Sequence, residues 1–267
     1  MSKTLLNQVA VISGGLGDIG RAIALELARR GADIAIGDVR DASAARPSRA
    51  QSSGGFADEL RGLGVRSRYD AVDVANAGHV TEWIATVERD FGVPTLIIPN
   101  AATVTLAGVR TVTPEQWSNE LRVNLDGAFH LAQAGALRML ANKMPGRIVF
   151  VGSWAAHAPH GNITAYCVAK AGLRMLCKCM AADLAPDGIL VNEVAPGYVD
   201  AGLSAAIWAK NPGAKEKAAQ RVPTRQLIEA AEVATQVAHL CEPANRHITG
   251  SVLLMDGGLS LVTPGNK

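Results

Sequence analysis

Aromatic residues are scarce in this sequence. Phe, Trp and Tyr make up 4% of the 267 residues, whereas hydrophobic residues as a whole make up 48%. The core must therefore consist mainly of Ala, Val, Leu and Ile. Charged residues contribute only 19%, and this composition excludes a disordered chain. The length suits one α/β domain, because single cores stop growing at roughly 250–300 residues.

An excess of one charge and long apolar runs are also absent. The net charge is +2, from 26 basic and 24 acidic side chains, with no basic block, so no nucleic-acid partner is expected. No apolar run approaches the roughly 20 residues that cross a bilayer, and the N-terminal MSKTLLNQVAVISGG lacks the features of a signal peptide. We therefore expect no membrane partner and a cytoplasmic location.

The four cysteines form no Cys-x-x-Cys pair, and their spacing is not typical of a redox or metal site. They are Cys167, Cys177, Cys179 and Cys241. We expect all four to be reduced packing residues. His157 and His160 are three apart, but no neighbouring carboxylate or cysteine completes a ligand set, so no metal is expected.

Short β-branched runs alternate with longer helical patterns along the chain, as in βαβ units with a parallel sheet. Strands are expected at Val9–Ser13, Ile34–Asp38, near Val65–Asp70, and at Thr95–Ile98, Arg147–Val151, Leu190–Val194 and Val252–Met255. Helices are expected at Ile19–Arg30, Val80–Asp90, Pro114–Leu140, Ala165–Leu184 and Ala230–Leu240. The pattern predicts a single doubly wound Rossmann-type α/β domain over residues 1–267, with a seven-stranded parallel sheet and helices on both faces.

A strand, a glycine turn and a helix open the chain. Gly15, Gly17 and Gly20 satisfy G-x-G-x-x-G, and the next strand ends on Asp38. Glycines allow a pyrophosphate to approach the backbone, and the helix N-terminus supplies N–H donors. This context predicts a dinucleotide site. Asp38 can accept hydrogen bonds from the adenosine ribose hydroxyls and would repel a 2′-phosphate, so NAD is the expected cofactor.

Basic residues near Asp38 keep NADP open as an alternative. Val39 offers no cation, but Arg40, Arg46 and Arg49 follow. The last two lie in residues 40–55, RDASAARPSRAQSSGG, which contain helix and strand breakers and no apolar periodicity. This segment is expected to be a flexible surface loop. A flap over the adenosine end of the cofactor is the alternative.

The motifs resemble those of the short-chain dehydrogenase/reductase (SDR) family over nearly the whole chain. The family's T-G-x-x-x-G-x-G motif appears as SGGLGDIG from Ser13 to Gly20, with Asp18 at a position that the family fills with glycine. Its charge is expected to oppose the pyrophosphate. Ser153, Tyr166 and Lys170 have the family's catalytic spacing, thirteen and then four residues apart.

The resemblance implies both the site residues and the assembly. The catalytic residues would be Asn124, Ser153, Tyr166 and Lys170. The cofactor-binding residues would be Ser13, Gly14, Gly17, Asp18, Ile19, Gly20, Asp38, Asp73, Val74, Asn100, Ala101, Tyr166, Lys170, Pro196, Gly197 and Val199. The family also implies a homotetramer, in which the helix after Thr164 and the helix over Pro114–Leu140 pack across one two-fold interface.

The chemistry of these side chains supports the same roles. Tyr166 and Lys170 are i and i+4 on a predicted helix and share one face. A nearby ammonium lowers the pKa of a phenol, so Tyr166 is expected to be the general base in alcohol oxidation and the general acid in carbonyl reduction. Ser153 is expected to hydrogen-bond the substrate oxygen. Asn124 is expected to hold a water that links Lys170 to solvent.

The substrate pocket is expected outside the carboxyl ends of the strands. The residues between Ser153 and Tyr166 that would form its wall are Trp154, His157, His160 and Asn162. Residues 200–225 are expected to form a helical lid with Trp208. The substrate-binding residues would be Ser153, Trp154, His160, Tyr166 and Trp208.

The sequence thus predicts an NAD-dependent oxidoreductase that acts on a small-molecule secondary alcohol of the sugar, polyol or hydroxy acid class. One alternative is a 3-oxoacyl thioester reductase. Asp38 disfavours it, because such reductases usually prefer NADPH. The other alternative is a non-catalytic NAD-binding protein, which the complete set of catalytic residues disfavours.

Overall fold

The computed structural model describes residues 3–40, 53–208, 211 and 213–262. Its sheet has seven parallel strands in the order β3-β2-β1-β4-β5-β6-β7. The strands are β1 Val9–Ser13, β2 Asp33–Asp38, β3 Ser67–Ala71, β4 Leu96–Ile98, β5 Gly146–Val151, β6 Ile189–Pro196 and β7 Val252–Met255. The predicted doubly wound sheet is confirmed, with each predicted strand within two residues of its observed bounds.

Helices cover both faces of the sheet and bury its apolar side chains. They are α1 Asp18–Arg29, α2 Ser53–Gly62, α3 Ala77–Phe91, α4 Pro114–Leu121, α5 Gly127–Ala141, α6 Thr164–Leu184, α7 Gly202–Trp208, α8 Ala214–Arg221 and α9 Ala230–Cys241. One core lies under α1, α2 and α9, and the other lies under α3, α5 and α6. No helix in the described part of the chain is long and apolar enough to cross a membrane.

The strand order reverses at β1, which pairs with β2 on one side and β4 on the other. Ser13 is in register with Gly37, and Ile12 is in register with Ile98. The chain therefore leaves β1, β2 and β4 at the same edge of the sheet. A crevice forms at such a reversal, outside the carboxyl ends of the strands.

The helix predicted over Pro114–Leu140 is interrupted. A π-helical turn over Arg122–Asp126 separates α4 from α5. Asn124 lies in this turn, and its side chain hydrogen-bonds in both directions with the backbone of Thr103. A π turn keeps the backbone helical, and no helix breaker marks it in the sequence, which is why the pattern predicted one helix.

Two smaller predictions were wrong. Residues 41–52 of the predicted 40–55 loop lie outside the described residues, but the helix α2 already begins at Ser53. The signal for this helix is the pair Phe56 and Leu60, which are four residues apart and buried. Cys179 is exposed, unlike Cys177 and Cys241, so it is not a packing residue.

Candidate active site

A cleft of about 2680 Å³ opens at the carboxyl ends of the strands. Almost all of the predicted site residues line it. On the cofactor side these are Gly14, Gly17, Asp18, Ile19, Gly20, Asp38, Asp73, Val74, Asn100, Ala101, Pro196, Gly197 and Val199. On the substrate side they are Ser153, Trp154, His160, Asn162, Tyr166, Lys170 and Trp208. Ser13, Asn124 and His157 are not among the lining residues.

The glycine turn after β1 is packed too tightly for side chains. Gly14 has φ +64, and a Cβ there would lie 2.8 Å from the Cα of Ala101. A Cβ on Gly20 would overlap the carbonyl oxygen of Gly14. Gly17 lines the cleft directly, next to the first turn of α1. The turn therefore presents bare backbone and a helix N-terminus, which fits the pyrophosphate of a dinucleotide.

Ser13 supports this turn from behind. Its hydroxyl oxygen accepts hydrogen bonds from the N–H groups of Asn100 at 3.0 Å and Ala101 at 3.1 Å. The side-chain amide of Asn100 in turn donates to the carbonyl of Gly14 at 3.1 Å. Ser13 thus joins the ends of β1 and β4, and its contact with the cofactor stays a prediction.

Asp38 is paired with a cation. Its carboxylate accepts hydrogen bonds from Nη2 and Nε of Arg40 at 2.8 and 3.0 Å and from the N–H of Leu16 at 3.1 Å. Burial opposes ionisation, but the bonds from Arg40 and Leu16 outweigh it and lower the pKa of Asp38. The end of the cleft predicted to receive adenosine therefore holds an anion with an adjacent guanidinium, so Arg40 is the nearby cation that the sequence analysis named.

One of the two carboxylate oxygens of Asp18 is bonded away from the glycine turn. Its Oδ2 accepts a 2.7 Å hydrogen bond from the N–H of Gly202, at the start of α7. The expectation of simple repulsion with a pyrophosphate is therefore incomplete. One carboxylate oxygen connects the first turn of α1 with the segment that follows β6.

Ser153, Tyr166 and Lys170 come together at the end of β5. Ser153 is hydrogen-bonded to Tyr166, and its hydroxyl oxygen accepts a 3.1 Å bond from the N–H of Ala155. The Nζ of Lys170 lies 5.6 Å from the centroid of the Tyr166 ring. It also donates to the carbonyl of Val151 at 2.8 Å. This cluster has the geometry for proton transfer to or from a bound oxygen.

Burial controls the protonation of this cluster. It raises the pKa of Tyr166 to about 12, against the hydrogen bond from Ser153, which lowers it. It lowers the pKa of Lys170 to about 8, against the attraction of Glu193. The expected depression of the Tyr166 pKa by Lys170 is therefore wrong for this structure. Desolvation is the larger effect, and Tyr166 carries its proton at neutral pH.

Asn124 fixes a loop of the cleft. Its Oδ1 accepts from the N–H of Thr103 at 3.0 Å, and its Nδ2 donates to the carbonyl of Thr103 at 2.9 Å. Both polar atoms of the amide are thereby engaged with the Thr103 backbone. The expected role of Asn124 in holding a water stays a prediction. Thr103 lines the cleft, and Asn124 is buried behind it.

The substrate side of the cleft has aromatic walls. The ring of Trp154 packs edge-on against Tyr198, with centroids 5.5 Å apart, and against His160 at 5.9 Å. Burial lowers the pKa of His160, and the nearby Arg221 adds to that effect. His157 is exposed and does not belong to this wall. Tyr198 was missed, because a lone tyrosine after Pro-Gly carries no pattern.

Acidic and basic side chains line different parts of the cleft. Among the described residues that line it, the acidic side chains are Asp18, Asp38 and Asp73, all on the nucleotide side. Residues 214–225 contribute Lys217, Arg221 and Arg225 to the lining and no acidic residue. No group of three His, Cys, Asp or Glu side chains in the described ranges could hold a metal ion.

Two buried charges near the cluster were also missed. Glu120 on α4 is fully buried, and one of its carboxylate oxygens accepts from the N–H of Thr105 at 2.9 Å. Burial raises its pKa. Glu193 on β6 is fully buried and is paired with Arg174 on α6. The available signal for Glu193 was a polar pair, Asn192 and Glu193, inside the buried run of the sixth strand.

Comparisons with known proteins agree over nearly the full length. A family model described as Enoyl-(Acyl carrier protein) reductase matches residues 15–260. A 3-oxoacyl-(acyl-carrier-protein) reductase from Vibrio cholerae is 31% identical over 258 residues, covering 97% of this chain and 99% of that protein. A cis-4-hydroxycyclohexanecarboxylate dehydrogenase from Sinomonas cyclohexanicum is 31% identical over 263 residues, covering 98% and 100%.

A solved structure shows the same likeness in three dimensions. The crystal structure of a short-chain type dehydrogenase/reductase from Mycobacterium marinum aligns with a TM-score of 0.87 at 27% identity, covering 96% of this chain and 97% of that one.

Proposed function

This chain belongs to the short-chain dehydrogenase/reductase family of oxidoreductases, and on that premise we propose that it transfers hydride between NAD(H) and a secondary alcohol or its ketone. The observation that carries the proposal is the cluster of Ser153, Tyr166 and Lys170, which lies in the same cleft as the glycine turn and Asp38. A positioned proton donor beside a dinucleotide cradle is what carbonyl reduction requires.

Asp38 supports NAD as the cofactor. Its pKa is lowered, so it is an anion at neutral pH that suits ribose hydroxyls and repels a 2′-phosphate. Arg40 already pairs with the same carboxylate at 2.8 Å, and this pairing weakens its attraction for a 2′-phosphate. The bare backbone at Gly14, Gly17 and Gly20 would hold the pyrophosphate.

In the proposed reaction, a bound nicotinamide supplies or accepts the hydride. Tyr166 carries its proton at neutral pH and donates it to the carbonyl oxygen during reduction. The hydroxyl of Ser153 donates a hydrogen bond to the same oxygen and stabilises its developing charge. Lys170 places a positive charge 5.6 Å from the Tyr166 ring, which favours the phenolate left behind. Oxidation runs through the same groups in reverse and requires the Tyr166 phenolate, which the charges of Lys170 and a bound NAD⁺ would favour.

Among the candidate substrates, the charges of the cleft favour a hydroxy acid over a neutral sugar or polyol. Lys217 and Arg221 line its far side without a lining carboxylate beside them, so a substrate anion would find cations there. The Sinomonas relative is named for a substrate that carries both a hydroxyl and a carboxylate. The apolar ring of Trp154 would pack against the carbon skeleton between the two groups.

The runner-up is a 3-oxoacyl thioester reductase. The Vibrio relative is named as one, and the cations of the far side would also suit an acidic carrier. Asp38 disfavours this alternative, since such reductases usually prefer NADPH. A non-catalytic NAD-binding protein is disfavoured by the complete cluster of Ser153, Tyr166 and Lys170.

Three further expectations belong to the same proposal. Residues 200–225, of which 209, 210 and 212 lie outside the described residues, act as a lid, because α7 and α8 line the cleft and Trp208 is among the lining side chains. The protein is a homotetramer that uses α5 and α6 as one interface. Its location is cytoplasmic, in keeping with reduced cysteines.

A substrate screen tests the proposal. NAD⁺ reduction at 340 nm would be followed with matched sets of sugars, polyols, steroids, hydroxy acids and the methyl esters of those acids. We expect turnover with a hydroxy acid and a loss of at least about tenfold in kcat/KM for its ester. Preference for a 3-oxoacyl thioester with NADPH would support the runner-up. NADH binding without turnover of any substrate would support the non-catalytic alternative.

A further inference from the structure

Glu193 and Arg174 form a buried ion pair behind the catalytic cluster. The side chain of Glu193 on β6 is 0% exposed and that of Arg174 on α6 is 11% exposed. Nε of Arg174 donates to Oε2 of Glu193 at 3.0 Å, and Nη2 donates to Oε1 at 3.0 Å. Burying two charges is costly, and such pairs are a weak source of stability. A pair in this position therefore calls for another role.

The ion pair of Arg174 and Glu193 contacts the backbone of the turn that carries Ser153. Nη2 of Arg174 also donates to the carbonyl of Ser153 at 3.2 Å. On the other side, a Cβ on Gly152 would overlap Oε1 of Glu193, so the backbone of Gly152 lies directly against the carboxylate. The N–H of Gly152 donates to the carbonyl of Val194 at 2.8 Å. The position of Ser153 is thus fixed through its own backbone and that of Gly152.

The same pair faces Lys170. Lys170 and Arg174 are one turn apart on α6. Nζ of Lys170 donates to the carbonyl of Val151 at 2.8 Å, and the next residue, Gly152, lies against the Glu193 carboxylate. The negative charge of Glu193 raises the pKa of Lys170 against the larger effect of burial. The other titratable groups that face the cluster are Tyr166, Cys167 and Cys177 on α6 and Glu120 on α4. Glu120 and Cys167 act on Tyr166, and Cys177 lies within the field of Glu193. Glu193 is therefore the anion that most directly favours a charged Lys170.

We propose that Arg174 and Glu193 are positioning residues for the reaction: Arg174 holds the Ser153 turn in place, and Glu193 keeps Lys170 charged. The inference rests on the proposed function for its catalytic part. Its structural part, the restraint on residues 152–157, stands independently of any substrate.

Two variants separate the two roles. Glu193→Gln keeps an acceptor for Arg174 and removes the charge. It should leave backbone hydrogen exchange at residues 152–157 unchanged and shift the alkaline limb of kcat/KM for NADH to lower pH by about half a unit or more.

The double variant Arg174→Met with Glu193→Leu removes both charges without leaving one unpaired. It should fold, speed exchange at 152–157 by about fivefold or more, and lower kcat about tenfold.

Arg66→Gln is the matched control. Arg66 pairs with Asp33 at 2.7 Å at the amino ends of the strands, away from the cleft, and its loss should leave both readouts at wild-type values. The proposal is overturned if the double variant folds with wild-type exchange at 152–157 and wild-type kcat. It is equally overturned if Glu193→Gln leaves the pH profile in place. If wild type shows no turnover, the exchange result still decides whether the pair restrains the turn, and only the proposed function fails.

Discussion

The Oδ2 atom of Asp18 accepts a 2.7 Å hydrogen bond from the N–H of Gly202. It joins the first turn of α1, beside the glycine turn, to the first residue of α7. Gly202 follows Pro196, Gly197 and Val199, which line the cofactor side of the cleft. The bond therefore links the glycine turn to the segment that follows β6 and to the proposed lid.

Replacing Asp18 with glycine should weaken NADH binding at both low and moderate salt. The variant regains the glycine that the family usually has there, but it loses the anchor for Gly202. Because the bond holds Gly202 in place before NADH binds, its loss adds the cost of ordering this segment to binding. A cost of about 1.4 kcal/mol lowers the affinity roughly tenfold. Titration of NADH fluorescence measures it.

Asp18→Asn is the control for this prediction, since it keeps an acceptor for Gly202 and removes the charge. It should bind NADH as well as wild type or slightly better. If Asp18→Gly instead tightens NADH binding, and the gain shrinks with added salt, then repulsion of the pyrophosphate is the dominant effect and the anchor is unimportant.

The sequence identified Asp18 as unusual but could not identify its partner. Gly202 is 184 residues away and contributes only a backbone N–H, which leaves no mark in a pattern. Contacts of this kind depend on tertiary packing. The same reason explains why Thr103 was not recognised as the partner of Asn124.

Cofactor preference follows from Asp38. We expect kcat/KM for NAD⁺ to exceed that for NADP⁺ at least tenfold, the effect of about 1.4 kcal/mol. Asp38→Ala should reduce this preference, because it removes the repulsion and releases Arg40. Steady-state rates with both cofactors measure it. Equal rates in the wild type would mean that Arg40 receives the 2′-phosphate despite its pairing with Asp38.

Assembly is predicted from exposed apolar side chains on two helices. Leu137 on α5 is 57% exposed and Met175 on α6 is 58% exposed, which is costly for surfaces that face water. Light scattering should give a mass about four times the 27.8 kDa of one chain. Met175→Glu should lower the mass. A single-chain mass for wild type at micromolar concentration would refute the tetramer.

The pH dependence follows from Lys170 and Tyr166. Lys170 has a pKa lowered to about 8, so its ammonium is present below that pH and lost above it. Tyr166, raised to about 12, stays protonated throughout. Because kcat/KM reports the free enzyme, kcat/KM for NADH in carbonyl reduction should be level below pH 8 and fall above it.

Lys170→Arg provides the comparison for this profile. An arginine stays charged at all accessible pH values, so the variant should be less active but should lose its alkaline limb. A wild-type profile that remains level to pH 10 would contradict the assignment of this limb to Lys170.

Most of the fold could be predicted from the sequence, and the chemistry of the site only in part. The seven strands were predicted because apolar β-branched runs such as ILV in β6 mark buried strands locally. The spacing of Ser153, Tyr166 and Lys170 gave the cluster. The sign of the Tyr166 pKa shift could not be predicted, since it depends on how completely packing excludes water. Arg174 and Glu193 are paired across two elements, and nothing in their spacing connects them.

The substitution Tyr166→Phe tests the central claim, that Tyr166 donates and accepts the substrate proton, most directly. It removes the hydroxyl and keeps the half-buried ring in place. We predict that kcat falls by roughly 10²–10⁴, as expected for the loss of general acid–base catalysis, while NADH titrations give an affinity close to that of the wild type. Wild-type turnover by Tyr166→Phe, with NADH binding retained, would contradict the account.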